Sequence, residues 1–208
     1  MPFNKVREIL DDAASFPYLD KSHLTRAGLM LNTIDKSIAV PLSESDCDKL
    51  TKLSSDLNSL SMEKARELGP FVLQFDGERD DKGRFIIAIL VVPMVEVDQI
   101  HCYPYSNNNE MKKLWPYDKH FMMTGMGNLG ELKVQARNTH PLAANGDLGE
   151  EGMRHMSSLS VIVTKFLIAL QQGSAEIVKE DTDYSKLNKK RKAQKRNEIQ
   201  PDYLLEWK

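Results

Sequence analysis

One long segment late in the chain, residues 149–172, is apolar on almost every side of the helix that its spacing predicts. A helix that is hydrophobic on most sides is buried on most sides, so the rest of the chain has to cover it. Gly173 ends the pattern in the position that glycine favours after a helix. The apolar residues are Met156, Leu159, Val163, Phe166, Leu167 and Leu170 on one face, with Val161, Ile162 and Ile168 extending it.

The middle of the chain carries the pattern of an antiparallel sheet. Residues 85–92 are apolar without interruption, which is typical of a central strand covered on both faces. Polar or glycine-rich connections separate this segment from its neighbours, as in a meander. The other predicted strands are residues 71–75, 95–103, 120–124 and 131–137.

Helical spacing dominates the first third of the chain. Residues 4–15 predict one helix, and a second begins at Ser43 or Ser45, with Ser45 and Asp48 arranged as a capping box. Gly69 and Pro70 end this helical region. A short strand is predicted at residues 37–41. The apolar stripe of the second helix is Leu50, Leu53, Leu57 and Leu60.

These patterns predict an α+β fold, in which a mainly antiparallel sheet packs against a long buried helix and an N-terminal helical region precedes the sheet. With 208 residues, of which 41% are hydrophobic and 28% charged, the chain suits a single domain over residues 1–208. Residues 1–69 form its mainly helical part. Residues 70–208 form the sheet, the core helix and a basic C-terminal segment.

The composition also predicts a compartment. Cys47 and Cys102 lie far apart and form no metal-binding pair, which favours a reducing environment, although one disulfide stays open. The N-terminus has no apolar signal core, and no segment has the roughly 18 apolar residues that a membrane span needs. We therefore expect a cytoplasmic protein that does not bind a membrane.

The strongest compositional anomaly is a basic run near the C-terminus, with seven cations in the eleven residues 186–196. A net charge of −2 gives the whole molecule no attraction to nucleic acid, so any such affinity must come from this local patch. In a helix, Lys189, Lys192 and Arg196 would share one side. The seven candidate nucleic-acid-binding residues are Lys186, Lys189, Lys190, Arg191, Lys192, Lys195 and Arg196.

Three interpretations of the basic run remain open. Its cations bind phosphates without reading sequence, or they bind an acidic protein partner. Alternatively, the run is a solvated linker whose charge offsets the acidic residues 180–183. Predicted strands at residues 175–178 and 203–207 flank the run, and the second strand should return to the sheet. The run is therefore expected to be a loop or short helix held between strands.

The same residues carry a resemblance. Residues 187–191 and 201–207, following a late helix at 156–172, resemble the C-terminal signature of small uncharacterised bacteriophage proteins. Such proteins combine a central strand pair, a late helix and an Asn-Lys-Lys-Arg run before a terminal strand. This chain departs from them at residues 197–200, where they often have Gly-Lys. The resemblance implies a phage origin, and hence the cytoplasm of a host cell, but no activity.

Several motifs with apparent chemistry do not fit their context. Residues 125–130 match G-x-G-x-x-G, but the following residues alternate like a strand where a dinucleotide site needs a helix. His101 and Cys102 are adjacent on a predicted strand and so point to opposite faces. No metal-ligand spacing, hydrolase elbow or phosphate-binding loop is present. We therefore predict no catalytic residue, metal or cofactor, with a cleft at Arg154 and His155 as the alternative site.

A second surface of interest is the asparagine-rich segment 104–117, which the sequence predicts to be a loop. Aromatic and asparagine side chains on a loop suit recognition of a protein partner, although such aromatics also pack over sheet edges. The candidates are Tyr103, Tyr105, Trp115 and Tyr117. Two functions follow: a non-enzymatic phage accessory protein that contacts nucleic acid or a nucleic-acid-bound host complex, or a module that inhibits or redirects a host protein.

Overall fold

The computed structural model describes residues 33, 37–75, 84–94, 99–108, 119–124, 133–138, 149–194, 198 and 201–208. Helices and strands take their numbers in chain order within those ranges. The helix predicted at residues 4–15, the glycine motif at 125–130 and the hairpin connection at 76–83 lie outside them.

Six strands form one sheet, in which each strand hydrogen-bonds to the next in sequence. The strands β2 to β6 are antiparallel neighbours, whereas β1 runs parallel to β2 because helices fill the connection between them. Helices together with a mainly antiparallel sheet confirm the predicted α+β fold. The strands are β1 (Ile38–Leu42), β2 (Phe71–Phe75), β3 (Arg84–Met94), β4 (Gln99–Asn108), β5 (Lys119–Thr124) and β6 (Lys133–Asn138).

The uninterrupted apolar segment is an interior strand, as predicted. In β3 the four consecutive residues from Ala88 to Val91 are completely inaccessible to solvent. Because successive side chains of a strand point to opposite faces, this burial shows that both faces of β3 are covered at that point.

The region between β1 and β2 holds three short helices rather than the one continuous stripe that the leucine spacing predicted. These are α1 (Glu44–Lys52), a 3₁₀ turn (Leu57–Ser59) and α2 (Met62–Leu68). Leu53, with φ −57° and ψ 115°, leaves the helical conformation and ends α1. The side chains of Asp56 and Ser61 then accept hydrogen bonds from the backbone N–H groups of Asn58 and Glu63, each the second residue of its helix. These local caps interrupt the helix although the apolar periodicity continues.

The capping box of α1 also differs from the prediction: Ser43 and Asp46 form it, not Ser45 and Asp48. Ser43 accepts a hydrogen bond from the Asp46 N–H at 3.2 Å, and Asp46 Oδ2 accepts one from the Ser43 N–H at 2.9 Å. Because β1 ends at Leu42, Ser43 is the first residue free to turn into the helix. The adjoining strand, and not the helix sequence, selects the cap.

The long helix α3 (Gly149–Gln171) packs against the sheet and the N-terminal helices, as its apolar surface predicted. Val163 and Phe166 to Ala169 are completely buried, and the Phe166 ring lies 5.5 Å from that of Phe71 on β2. Gly173 has a φ of 71°, a left-handed conformation that glycine adopts without steric strain. The helix is therefore the centre of the hydrophobic core.

The C-terminal strands form a second, smaller sheet. Within the described ranges, the strands β7 (Ala175–Lys179) and β8 (Tyr203–Trp207) pair with each other alone, as a two-stranded antiparallel sheet, so the expected return of the last strand to the main sheet was wrong. Strand β8 lies beside β1, the edge strand of the main sheet. The indole Nε1 of Trp207 donates a hydrogen bond to Asp46 Oδ1 at 2.8 Å, which links β8 to the start of α1.

This link makes stability depend on the charge of Asp46. Partial burial disfavours the ionised form, but hydrogen bonds from Ser43 and Trp207 and the positive charge of Lys49 outweigh it and lower the pKa of Asp46. A lowered pKa in the folded state adds stability that is present above the unfolded pKa of about 3.9 and lost as the pH falls through the folded pKa.

We therefore expect Asp46→Asn to unfold at a lower urea concentration than wild type at pH 7, and the gap to narrow at pH 3. Urea unfolding at both pH values measures this. An equal gap at the two pH values would contradict an ionised Asp46 as the source of the stabilisation.

Candidate nucleic-acid interface

The described part of the basic run lies in a helix, α4 (Ser185–Ala193), in the connection between β7 and β8. A loop or short helix held between strands was predicted; the structure shows a helix and how the base of the connection is closed. The backbone N–H of Glu180 donates to the carbonyl of Asp202 at 2.8 Å. The Tyr184 hydroxyl donates to the Asp202 carboxylate, and this hydrogen bond raises the pKa of Tyr184. Asp202, the residue before β8, therefore holds the segment before α4 next to the start of β8.

The acidic residues that precede α4 have a structural role at its N-terminus. Asp183 Oδ1 accepts a hydrogen bond from the backbone N–H of Ser185 at 2.9 Å. Hydrogen bonds from the side chain and backbone of Ser185 lower the pKa of Asp183, so this carboxylate is charged at neutral pH. A negative charge at this position also suits the positive end of the helix dipole. The acidic segment therefore supports the helix that carries the cations.

None of the α4 residues is buried, and their exposure separates two sides of the helix. Asn188 and Arg191, three residues apart, are partly buried and mark the side nearer the protein. Lys186, Lys189 and Lys190 are exposed, and their spacing places them together on the opposite side. Lys192 is also exposed, beside Lys189. These four lysines form the lysine patch.

The lysine patch differs from the predicted basic face. Arg191 belongs to the partly buried side, and Lys195 and Arg196 lie outside the described residues. Helical spacing alone could not show which side faced the protein, because cations occur nearly all round the helix. The packing of Asn188 and Arg191 orients it.

The lysine patch concentrates positive charge on one side of α4. Within the described residues, no ion pair engages any of the four lysines. Lys190 is four positions after Lys186, a spacing at which like charges on a helix repel each other. Cations in the last turn do interact favourably with the helix dipole. A polyanion bound to the patch would relieve this repulsion.

The structure corrects the start of the loop predicted at residues 104–117, whereas Tyr103 was already predicted to end a strand. Tyr103 and Tyr105 lie within β4, which continues to Asn108, whereas Trp115 and Tyr117 lie outside the described residues. Pro104 had suggested a loop because it cannot donate a hydrogen bond in a sheet. Its pairing with Ile89 on β3 shows that it is part of the strand. In the described ranges β4 pairs with β5 only from Gln99 to Cys102, so one side of the strand is without a partner at Pro104.

The remaining candidates do not converge on a chemical site. Arg154 is exposed on α3, and the side chain of His155 lies outside the description. His101 is partly exposed and Cys102 is fully buried, so they occupy opposite faces as predicted. Both cysteines are free thiols. Over the ranges that the structure covers, no group of His, Cys, Asp and Glu is arranged to bind a metal ion, and no helix is long and apolar enough to span a bilayer.

No protein-family model matches the chain, and neither a curated protein nor a solved structure matches it significantly. Its function is therefore inferred from the chain's own residues.

Proposed function

We propose that this chain is a non-enzymatic accessory protein, of phage origin by its resemblance, that contacts nucleic acid or a nucleic-acid-bound host complex through the lysine patch. One observation carries the proposal: α4 has no buried residue, yet it presents four exposed lysines from a base closed by Asp202. A nine-residue helix with no buried residue gains little stability from packing. Its exposed charge is the property that distinguishes it.

The expected contacts are with phosphates and not with base edges. Lysine is a compact charge on a flexible stem, which suits phosphate oxygens without fixing a register on the bases. No aromatic residue lies within α4, so the helix offers no ring for stacking. Binding through the patch should therefore be independent of sequence.

The dependence of the binding affinity on salt concentration measures the number of phosphate contacts. Each phosphate contact lowers the logarithm of affinity by about 0.9 per tenfold increase in salt concentration on duplex DNA. Three lysines in contact would give a slope of about −2.7, so raising salt from 50 to 200 mM should weaken binding roughly fortyfold.

The test is a fluorescence anisotropy titration of duplex DNA and duplex RNA at these two salt concentrations. Replacing Lys186, Lys189 and Lys190 by Gln keeps the side-chain length and removes the charge. We expect the variant to bind at least about tenfold more weakly at low salt and to lose most of the salt slope.

A matched control replaces three exposed lysines elsewhere, Lys52, Lys179 and Lys208, by Gln. This control changes net charge by the same amount, so it should keep most of the affinity. Absence of binding at low salt, or an equal loss in both variants, would contradict the proposal.

The alternative function, a module that inhibits or redirects a host protein, was predicted from the aromatic segment. Two of its four residues lie in a strand, and the other two stay a prediction outside the described ranges. A pull-down from host lysate after nuclease treatment separates the alternatives. Retention of a specific protein by wild type and equally by the Gln variant would favour the protein-interaction module.

A further inference from the structure

The small sheet of β7 and β8 has an outward face that is apolar at its centre and acidic at both ends. Ile177 and Leu205 pack against the core, so the residues that alternate with them point away from it. Val178 and Leu204 are partners on this outward side, and Leu204 is 40% exposed. The surrounding acids are the partners Glu176 and Glu206 at one end, and Glu180 and Asp202, joined by a backbone hydrogen bond, at the other. These six residues form the outer face.

The outer face has two features that do not stabilise the molecule on its own. Glu176 and Glu206 are cross-strand partners, and like charges directly opposite each other destabilise a sheet. Lys208 Nζ lies 2.6 Å from Glu176 Oε2, but an exposed ion pair contributes little. The exposed part of Leu204 gains nothing from the hydrophobic effect. A partner with an apolar centre and positive charges around it would offset both features.

One side of α4 has the complementary pattern. Leu187 is 44% exposed, and helical spacing places it beside Lys190, which lies beside Lys186. Within the described residues, three large hydrophobic side chains are exposed, and two of them are Leu187 on α4 and Leu204 on the outer face. Lys186, Leu187 and Lys190 form the leucine side of α4. The leucine side therefore matches the outer face in its apolar centre and is opposite to it in charge.

The chain places these two surfaces next to each other. Helix α4 lies in the connection between β7 and β8, and the Tyr184 hydroxyl, just before α4, is bonded to Asp202 of the outer face. Because Leu187 and Leu204 both stay exposed, α4 is not folded onto its own outer face. In a dimer with two-fold symmetry, each of two neighbouring surfaces meets the other surface of the second copy.

We infer that a second copy of this chain binds through these two surfaces, as a two-fold dimer. Leu187 of each copy packs on Val178 and Leu204 of the other. Lys186 and Lys190 lie against the acids of the same outer face. Each copy contributes one short helix and one side of a two-stranded sheet, so the interface is small and the dimer transient.

This inference goes beyond the proposed function and does not depend on it, because dimerisation is measured without nucleic acid. The two are connected by the residues that they share. Lys186 and Lys190 belong both to the lysine patch and to the leucine side, so a second copy and a nucleic acid compete for them.

The test is sedimentation equilibrium of the whole chain from about 10 to about 300 μM, a range suited to a small interface. The mean mass of wild type should rise with concentration toward that of a dimer, and rise less at high salt. Leu204→Ser removes the apolar centre of the contact and should weaken dimerisation at least about tenfold. A wild type that stays monomeric, or that grows beyond a dimer, would overturn the inference.

An exchange of charges identifies the two surfaces. Replacing Lys186 and Lys190 by Glu makes the leucine side acidic, and replacing Glu176 and Glu206 by Lys makes the outer face basic. Each variant alone should be monomeric, because both of its surfaces then carry the same charge. An equimolar mixture should form a heterodimer, because each surface again meets its opposite charge. Recovery in the mixture also shows that both variants are folded.

A matched control places the same change of charge on the other side of α4. Replacing Lys189 and Lys192 by Glu leaves the leucine side intact, so this variant should dimerise nearly as wild type does. The inference is wrong if the equimolar mixture stays monomeric although both variants have the circular dichroism spectrum of wild type. It is also wrong if the control loses dimerisation as fully as the variant with Glu at positions 186 and 190.

Discussion

Phe166→Ala is expected to destabilise the protein by about 3–5 kcal/mol, the range typical of truncating a buried aromatic side chain. Phe166 is completely buried in the C-terminal half of α3, and its ring packs 5.5 Å from that of Phe71 on β2. Truncation removes the apolar contact area and leaves a cavity between helix and sheet, which the surrounding side chains fill only partly. Urea unfolding followed by far-ultraviolet circular dichroism measures the change in the free energy of unfolding.

The control for this prediction is Val161→Ala on the same helix. Val161 is partly exposed, so its truncation should change the free energy of unfolding by roughly 1 kcal/mol or less. A similar small effect at Phe166 would show that α3 is not the centre of the core.

Trp207→Ala is expected to destabilise the protein by about 2–4 kcal/mol, less than a fully buried tryptophan because the side chain is partly exposed. The indole packs against the core, donates a hydrogen bond to Asp46 at 2.8 Å and lies under Lys49 Nζ, which is 5.4 Å from the ring centroid. The contacts with Asp46 and Lys49 join β8 to α1. Urea unfolding again measures the effect.

Trp207→Phe separates the contribution of the hydrogen bond from those of packing and the cation–π interaction. It keeps most of the apolar contact and the cation–π interaction but removes the indole N–H, and we expect it to destabilise by about 1 kcal/mol. A Phe variant as unstable as the Ala variant would mean that the hydrogen bond to Asp46, and not packing, holds β8. Because β8 follows the closed base of α4, Trp207→Ala should also weaken nucleic-acid binding.

The elements with strong local patterns were predicted correctly. The apolar segment that became β3 and the helix that became α3 bury so much hydrophobic surface that a central position is their only stable arrangement. Gly69 and Gly173 ended their helices as expected, since both have positive φ. The basic run was recognised as a constrained loop or short helix because a credible strand followed it.

The errors came where neighbouring residues compete for the same hydrogen bonds. Ser43 and Ser45 are equivalent by type, and the end of β1 selects Ser43. The leucine stripe continues through residues 50–60, but the caps at Asp56 and Ser61 divide it into separate helices. Pro104 suggested a loop, although it lies in a strand where one side lacks a described partner. Such outcomes depend on backbone geometry that residue types do not encode singly.

For the candidate sites, too, residue type predicted one part and the tertiary structure decided the rest. Composition alone located the cations of α4 and the tyrosines near residue 104, because charge and aromatic content are properties of residue type. Their arrangement came from packing: Asn188 and Arg191 orient α4, Asp202 closes its base, and the pairing of β4 with β3 and β5 assigns Tyr103 to the face away from the core. Which side of a helix or strand faces the protein depends on the elements that pack against it, and those elements are distant in sequence. For this reason the lysine patch, unlike α3, had to be located from tertiary contacts.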